Sequence, residues 1–148
     1  MRLLVQRVLN SNVKVDGKIT GEINKGYMVL LGVTHDDDTE KADYLVKKLI
    51  NLRVFEDENG KMNKSLLDVG GSILAISQFT LYADCKRGNR PGFTEAMEFN
   101  KASEYYDLFV KMLRDSGLHV ETGIFGADMK IELLNDGPVT ILLDTDDL

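Results

Sequence analysis

The stretch Ile73-Leu74-Ala75-Ile76-Ser77-Gln78-Phe79-Thr80-Leu81-Tyr82-Ala83-Asp84 decides how this chain is read. Ile73 to Ile76 is a continuous apolar run of the kind that forms a strand buried on both faces. Three side chains able to hydrogen-bond, Ser77, Gln78 and Thr80, then appear within four positions. An unpaired amide or hydroxyl costs on the order of 1 to 3 kcal/mol to bury, so these groups must be satisfied internally or face a cleft. Read as one strand to Asp84, the alternation places Ile76, Gln78 and Thr80 on one face and Ser77 and Phe79 on the other. The cleft reading leads toward function.

Upstream, Gly70-Gly71 interrupts the chain just before this run. Arg2 to Val15 alternates loosely, with a hairpin signal at Asp16-Gly17 and a second turn at Asn24-Lys25-Gly26. Tyr27 to Val33 reads as a central strand. Asp37-Asp38-Thr39-Glu40 then offers N-cap chemistry, and Ala42, Leu45, Val46, Leu49 and Ile50 recur at helical spacing, which predicts a helix over 39–52. Arg53-Val54-Phe55 reads as a short strand, with Asn59-Gly60 at the tip of a turn.

Downstream, Cys85 to Gly92 is a loop by its glycines and proline, and Lys86, Arg87 and Arg90 place three positive charges in five residues. A second helix is predicted over 101–116, with Asn100 as N-cap, Gly117 as stop, and Tyr105 and Tyr106 in its core stripe. Three strand-like pieces close the chain: Leu118 to Thr122, Met129 to Leu134 and Val139 to Leu143, the last two separated by the tight turn Asn135-Asp136-Gly137-Pro138. This predicts an α/β fold, a single sheet-rich domain over 1–148 of mostly antiparallel strands with two main helices.

Composition narrows the classes. Of the 148 residues, 43% are apolar and 28% charged, the mix of an ordinary soluble globular domain. Charge enters at Arg2 and Arg7, too early for a signal peptide, and no apolar run approaches a membrane span. A cytoplasmic location with no membrane partner is therefore expected. Cys85 is the only cysteine, so no internal disulfide forms, and one cysteine with His35 and His119 makes no convincing zinc site. The acidic clusters Asp36 to Asp38 and Asp144 to Asp147 lack the spaced ligands of a calcium loop, and read as helix-start chemistry and a solvated tail. No metal and no cofactor is expected. A net charge of −6 weighs against a general nucleic-acid binder.

Ser77, Thr80 and Cys85 are the candidate nucleophiles, but each needs a base, and neither histidine can be placed beside them by spacing. Ser77 sits in no Gly-x-Ser-x-Gly elbow, so a hydrolytic triad is not indicated. Thr80 alone reads most simply as a strand threonine, and Gly137-Pro138 as a turn. Clustered arginine on a flexible loop suits a polyanion, since local charge acts where net charge does not.

Ser77 to Asp84 together with Asn135-Asp136-Gly137-Pro138-Val139-Thr140 resembles the two signature motifs of the D-aminoacyl-tRNA deacylase family. Val5-Gln6-Arg7-Val8, Leu30-Leu31-Gly32-Val33, Leu52-Arg53-Val54-Phe55, Gly60-Lys61-Met62-Asn63, Arg90-Pro91 and Phe125-Gly126-Ala127 fall in the family's order and spacing. The resemblance implies β/β/α-layered subunits that form a homodimer with active sites at the interface, hydrolysing the ester of D-aminoacyl-tRNA. It implies a catalytic set of Ser77, Gln78, Phe79 and Thr80, with backbone oxyanion donors and the ribose 2′-hydroxyl of the substrate in place of a protein nucleophile. It further implies that a cis Gly137-Pro138 from the partner subunit excludes L-amino acids, and that glycyl-tRNA is a second substrate.

Phe125, Met129 and Asn135 are expected to form the substrate pocket, and Lys86, Arg87 and Arg90 to contact tRNA; no DNA partner is implied. Asn89 and Gly92 depart from the commonest family pattern, where a basic residue and a serine stand, both in the tRNA-contacting loop. Two alternatives stay open. One is a relative with a trans Gly137-Pro138 that edits a small L-amino acid; the other is a non-catalytic RNA-binding module on the same scaffold.

Overall fold

The computed structural model describes residues 1–147. Strand β1 (Arg2–Val15) is the hub, because its alternating apolar side chains are buried from Leu3 to Val13 and partners flank it. Strands β2 (Lys18–Ile23) and β3 (Gly26–Gly32) pair antiparallel with successive stretches of it, Ser11–Val15 and Arg2–Val8. Because Ile23 pairs with Ser11 and Gly26 with Val8, the chain keeps its direction through Asn24-Lys25. The second turn expected there is a kink in one long path.

Strand β8 (Lys130–Asp144) pairs antiparallel with β1 over nearly its whole length. The two closing strands read from the sequence are thus one strand, and Asn135 to Pro138 does not reverse it. Gln6 faces Thr140 while Val8 faces Asn135, so residues 136–139 bulge out opposite Arg7.

Most of the pairing is antiparallel, as expected, and a parallel part joins it. Strands β3, β6 (Ser72–Ser77) and β7 (Val120–Thr122) run parallel, joined by helical crossovers. Buried on both faces, β3 and β6 carry unbroken apolar runs, as the Ile73–Ile76 reading required. Strand β7 comes back against β2, where Gly21 meets the Thr122 carbonyl, so the sheet nearly closes. Inside it lie Val8, Val13, Ile23, Met28, Leu74 and Ile76.

Helices α1 (Thr39–Asn51) and α3 (Phe99–Asp115) cover the outer face through a larger core that includes Tyr27, Leu45, Leu49, Phe109 and Leu113. Asp38 caps α1 by accepting from the Lys41 amide at 2.9 Å. Glu98, not Asn100, caps α3, accepting from the Asn100 and Lys101 amides at 2.7 and 3.1 Å. Truncating the wholly buried Phe109 is expected to cost about 3 to 5 kcal/mol. A one-turn helix α2 (Leu66–Val69) and a hairpin of β4 (Phe55–Glu56) with β5 (Met62–Lys64) fill the first crossover.

The acidic C-terminal stretch is not simply solvated. Thr145 is buried and accepts from the Met1 amine at 2.8 Å, which also donates to the buried Asp37 at 2.9 Å. No helix among the described residues is long and apolar enough to cross a membrane.

Candidate functional site

The buried run does not continue as a strand to Asp84. Extended structure ends at Ser77, and Phe79–Tyr82 forms a 3-10 turn. The physical reason lies at the end of β3: the Gln78 amide donates to the Leu31 carbonyl at 2.7 Å, and the turn then folds over Gly32. A Cβ at Gly32 would lie 3.0 Å from the Leu81 Cβ and 3.2 Å from the Gln78 carbonyl oxygen, so only glycine admits this approach easily. The expected shared face of Ile76, Gln78 and Thr80 is therefore lost. Instead Ser77, Gln78 and Phe79 turn along the mouth of a cavity, while Thr80 is exposed beyond them.

This cavity holds about 540 Å³ and is mostly apolar. Leu31 and Ile76 come from the sheet, Val33 from just beyond β3, Ala102 and Tyr106 from α3, and Phe125 to Met129 from the loop before β8. The start of α3 supplies Phe99, and a strap over 93–98 supplies Phe93 and Met97. Three links hold it to the end of β3: the Thr34 hydroxyl to the Glu95 carbonyl, the Met97 amide to the Val33 carbonyl at 3.0 Å, and a His35 ring nitrogen 2.6 Å from the Thr94 carbonyl. Aromatic edges complete the wall, with Phe79 on Phe93 at 5.0 Å and Phe99 on Phe125 at 4.9 Å between ring centres.

The cavity offers few titratable groups. Tyr106 donates its hydroxyl to the Ala75 carbonyl at 2.7 Å, and burial pushes its phenol up, which keeps it neutral. Asp128 is exposed and paired with Lys130. His35 serves the strap, and His119 lies on the surface 3.4 Å from Glu121; neither lines the cavity. Two backbone donors stand at the mouth and just beyond it: among the described residues, no main-chain carbonyl accepts from the Phe79 or Thr80 amide.

Of the pocket residues read from the sequence, Phe125 and Met129 line the cavity and Asn135 does not. Asn135 staples the β8 bulge: its side-chain oxygen accepts from the Val139 amide at 2.8 Å and its amide donates to the Val139 carbonyl at 3.1 Å. Gly137 and Pro138 are exposed at the tip, joined by a cis peptide, and are absent from the cavity wall of their own chain.

Arg7 holds the other side of that bulge. It is 5% exposed, donates through Nε to the Asp136 carbonyl at 2.9 Å and through Nη1 to the Val54 carbonyl, and lies 6.0 Å above the Phe55 ring. Residue-by-residue reasoning missed this role. An arginine at an inward-facing position of an alternating strand was the available signal, since a buried guanidinium must find acceptors. Phe93 in the strap and Phe99 at the start of α3 were missed as well, their signal being large aromatics in a polar stretch.

Residues 84–92 form a clamped loop. Asp84 and Gly92 exchange two backbone hydrogen bonds at 2.7 and 2.8 Å, and the Asp84 carboxylate accepts from the Lys86 amide at 3.0 Å. Lys86, Arg87 and Arg90 are exposed, and none forms an ion pair among the described residues. Phe93 links the base of this loop to Phe79 at the cavity mouth.

Residues 4–144 match a family model described as D-Tyr-tRNA(Tyr) deacylase. The chain belongs to the D-aminoacyl-tRNA deacylase family. It is 59% identical to a D-aminoacyl-tRNA deacylase of Bacillus pumilus, covering 98% of this chain and 99% of the relative. It is 57% identical to that of Clostridioides difficile, covering 98% and 97%. Among solved structures, one described as c-Myc DNA Unwinding Element Binding Protein is similar at a TM-score of 0.92 and 42% identity, over 98% of this chain and 99% of that one. A second, described as a probable eukaryotic D-amino acid tRNA deacylase, shares the fold at a TM-score of 0.82 and 18% identity, over 96% and 97%. In this deacylase-family chain both signature stretches lie at the surface, one around a cavity and the other on a stapled bulge.

Proposed function

We propose that this chain hydrolyses the ester linking a D-amino acid to the terminal ribose of tRNA. The observation that carries the reading is an apolar cavity with two unengaged amides, Phe79 at its mouth and Thr80 just beyond, and no available protein base. Such a site suits a substrate that brings its own hydroxyl groups. Water adds to the ester carbonyl carbon, and the Phe79 and Thr80 amides receive the charge that develops on its oxygen. The carbon–oxygen bond to the ribose 3′-position then breaks, and the 2′-hydroxyl relays the proton of the attacking water to the departing 3′-oxygen. Ser77 and Gln78 complete the mouth, Phe125 and Met129 the wall, and Lys86, Arg87 and Arg90 meet the phosphate backbone.

Chirality is set by Gly137-Pro138 of a second copy. Their exposure, their absence from their own chain's cavity and the rigid staple of Arg7 and Asn135 support a projecting selector. Backbone carbonyls facing the substrate's α-carbon leave room for hydrogen and none for an L side chain. Glycine, with hydrogen in both positions, passes the same screen. The active unit is then a homodimer that shares its sites across the interface and works in the cytoplasm.

The test compares release from D-tyrosyl-, L-tyrosyl- and glycyl-tRNA by the wild type and by Thr80→Ala. D-tyrosyl and glycyl esters are expected to be cleaved and the L-tyrosyl ester spared, with Thr80→Ala retaining measurable activity. Equal D and L rates overturn the selection argument. Complete loss in a folded, tRNA-binding Thr80→Ala protein overturns its binding role. Binding of D-tyrosyl-tRNA without turnover would instead favour a non-catalytic module.

A further inference from the structure

We infer that the Gln78 side chain is a positioning residue that fixes the direction of the Thr80 hydroxyl proton, so that Thr80 presents a donor to the substrate. Gln78 Nε2 lies 2.6 Å from Thr80 Oγ1. An amide nitrogen carries only donors, whereas a threonine oxygen carries one proton and two lone pairs. The bond therefore occupies a lone pair, and the Thr80 proton points elsewhere. Thr80 is exposed, and its hydroxyl donates to no other group among the described residues.

Gln78 is well placed to hold this orientation. Its backbone amide donates to Leu31 at 2.7 Å and its carbonyl accepts from Leu81 at 3.3 Å, so both ends of its peptide frame are tied. Its side chain spans only two residues to reach Thr80, across the start of the 3-10 turn that lines the cavity mouth. A hydroxyl whose lone pair is already engaged is a poor nucleophile and a poor base. It is a good polarising donor to a carbonyl or ribose oxygen. This inference rests on the deacylase reading in placing the ester beside Thr80, but the direction of the hydrogen bond is a property of the chain alone.

Gln78→Glu tests it by reversing the bond. A carboxylate is nearly the same shape but can only accept, so the Thr80 proton turns inward toward it. At neutral pH, kcat on D-tyrosyl-tRNA is expected to fall about tenfold, with KM and thermal stability little changed, the factor of one hydrogen bond. The ratio of variant to wild-type kcat is expected to recover as pH falls through about 4.3, where the carboxylic acid can again donate. In a Thr80→Val background the Gln78→Glu substitution should have no further effect. An equal drop in that background, or a ratio independent of pH, overturns the inference. Wild-type protein without turnover would sink the deacylase reading separately. The orientation is then read by NMR: the Gln78 side-chain amide protons should shift on Thr80→Val and hold on Thr80→Ser, and no shift on Thr80→Val overturns it.

Discussion

The turn after β6 and the bulge in β8 carry the two signature stretches, and they are built in opposite ways. Ser77 to Phe79 borders an apolar cavity and, with Thr80, leaves backbone donors unengaged; Asn135 to Val139 lines no such cavity, and Arg7 and Asn135 tie the Asp136 carbonyl and the Val139 amide and carbonyl. A receptor needs open donors to receive charge, whereas a selector needs a fixed outline to exclude. On the proposed reading, rigidity is therefore concentrated where steric discrimination is made.

The strongest way to break this contrast is to remove the clamp on the bulge. Arg7→Ala strands the Asp136 and Val54 carbonyls and leaves a void beside Phe55. Unfolding free energy is expected to fall by about 3 kcal/mol in urea titration. Arg7→Lys should recover less than half, because a point charge cannot reproduce two divergent donors. An unchanged stability for Arg7→Ala would show that the bulge is not held as described.

A more local break is Gly137→Ala. Gly137 has φ of +146°, and a Cβ there would lie 2.8 Å from the Val139 amide nitrogen and 2.7 Å from its side chain. The added methyl is expected to cost about 2 kcal/mol and to displace the tip. The preference for D- over L-tyrosyl-tRNA should fall in the same protein, measured as the ratio of hydrolysis rates. Gly32→Ala would disturb the other half instead, lowering turnover without changing that ratio.

The same contrast separates what could be read from the sequence. Ile73 to Ile76 announced a doubly buried strand because hydrophobic burial is local in pattern, and α1 and α3 followed from their periodicity within one or two residues. Parallel pairing of β3, β6 and β7 was not legible, since it depends on which crossovers pack. Gln78 was misplaced because a strand's alternation was extended past the point where a long-range bond to Leu31 ends it. Asn135 to Pro138 has the composition of a reversing turn, but its flanks both pair with β1, a fact held by the partner strand and not by the loop. Arg7 and Asn135 act through residues distant in sequence, so their roles became visible only when the bulge was seen.

Charge on the receptor side offers a sharper quantitative contrast. The unpaired Lys86, Arg87 and Arg90 sit on the loop joined to Phe79 through Phe93, whereas the bulge carries no such cluster. Each alanine substitution in the three is expected to lower the steepness of log Kd for tRNA against log salt by up to about one. Stability should be unaffected, because their side chains are exposed. A salt slope unchanged in the triple variant would move the tRNA path away from this loop.

The smallest effect expected concerns the far end of β8 and tests whether the bulge is held independently of it. Asp144 sits 2.8 Å from Arg2 Nε, and its carboxyl lies below the usual range. Burial alone would raise it, but the Asp146 amide and the Arg2 guanidinium outweigh that penalty. A carboxyl lowered on folding contributes stability that is present above its unfolded value and lost as pH falls through its folded one. Asp144→Asn should therefore be less stable than wild type at neutral pH, by about 0.5 to 1 kcal/mol after solvent screening at the part-exposed Arg2. The gap should close as pH falls through the lowered value of the folded carboxyl, where the native side chain is protonated as well. Discrimination between D and L esters should not change, because Arg7 and Asn135 fix the bulge through bonds that do not involve Asp144. A loss of discrimination in Asp144→Asn would mean that the selector takes its outline from the whole strand and not from its local staples.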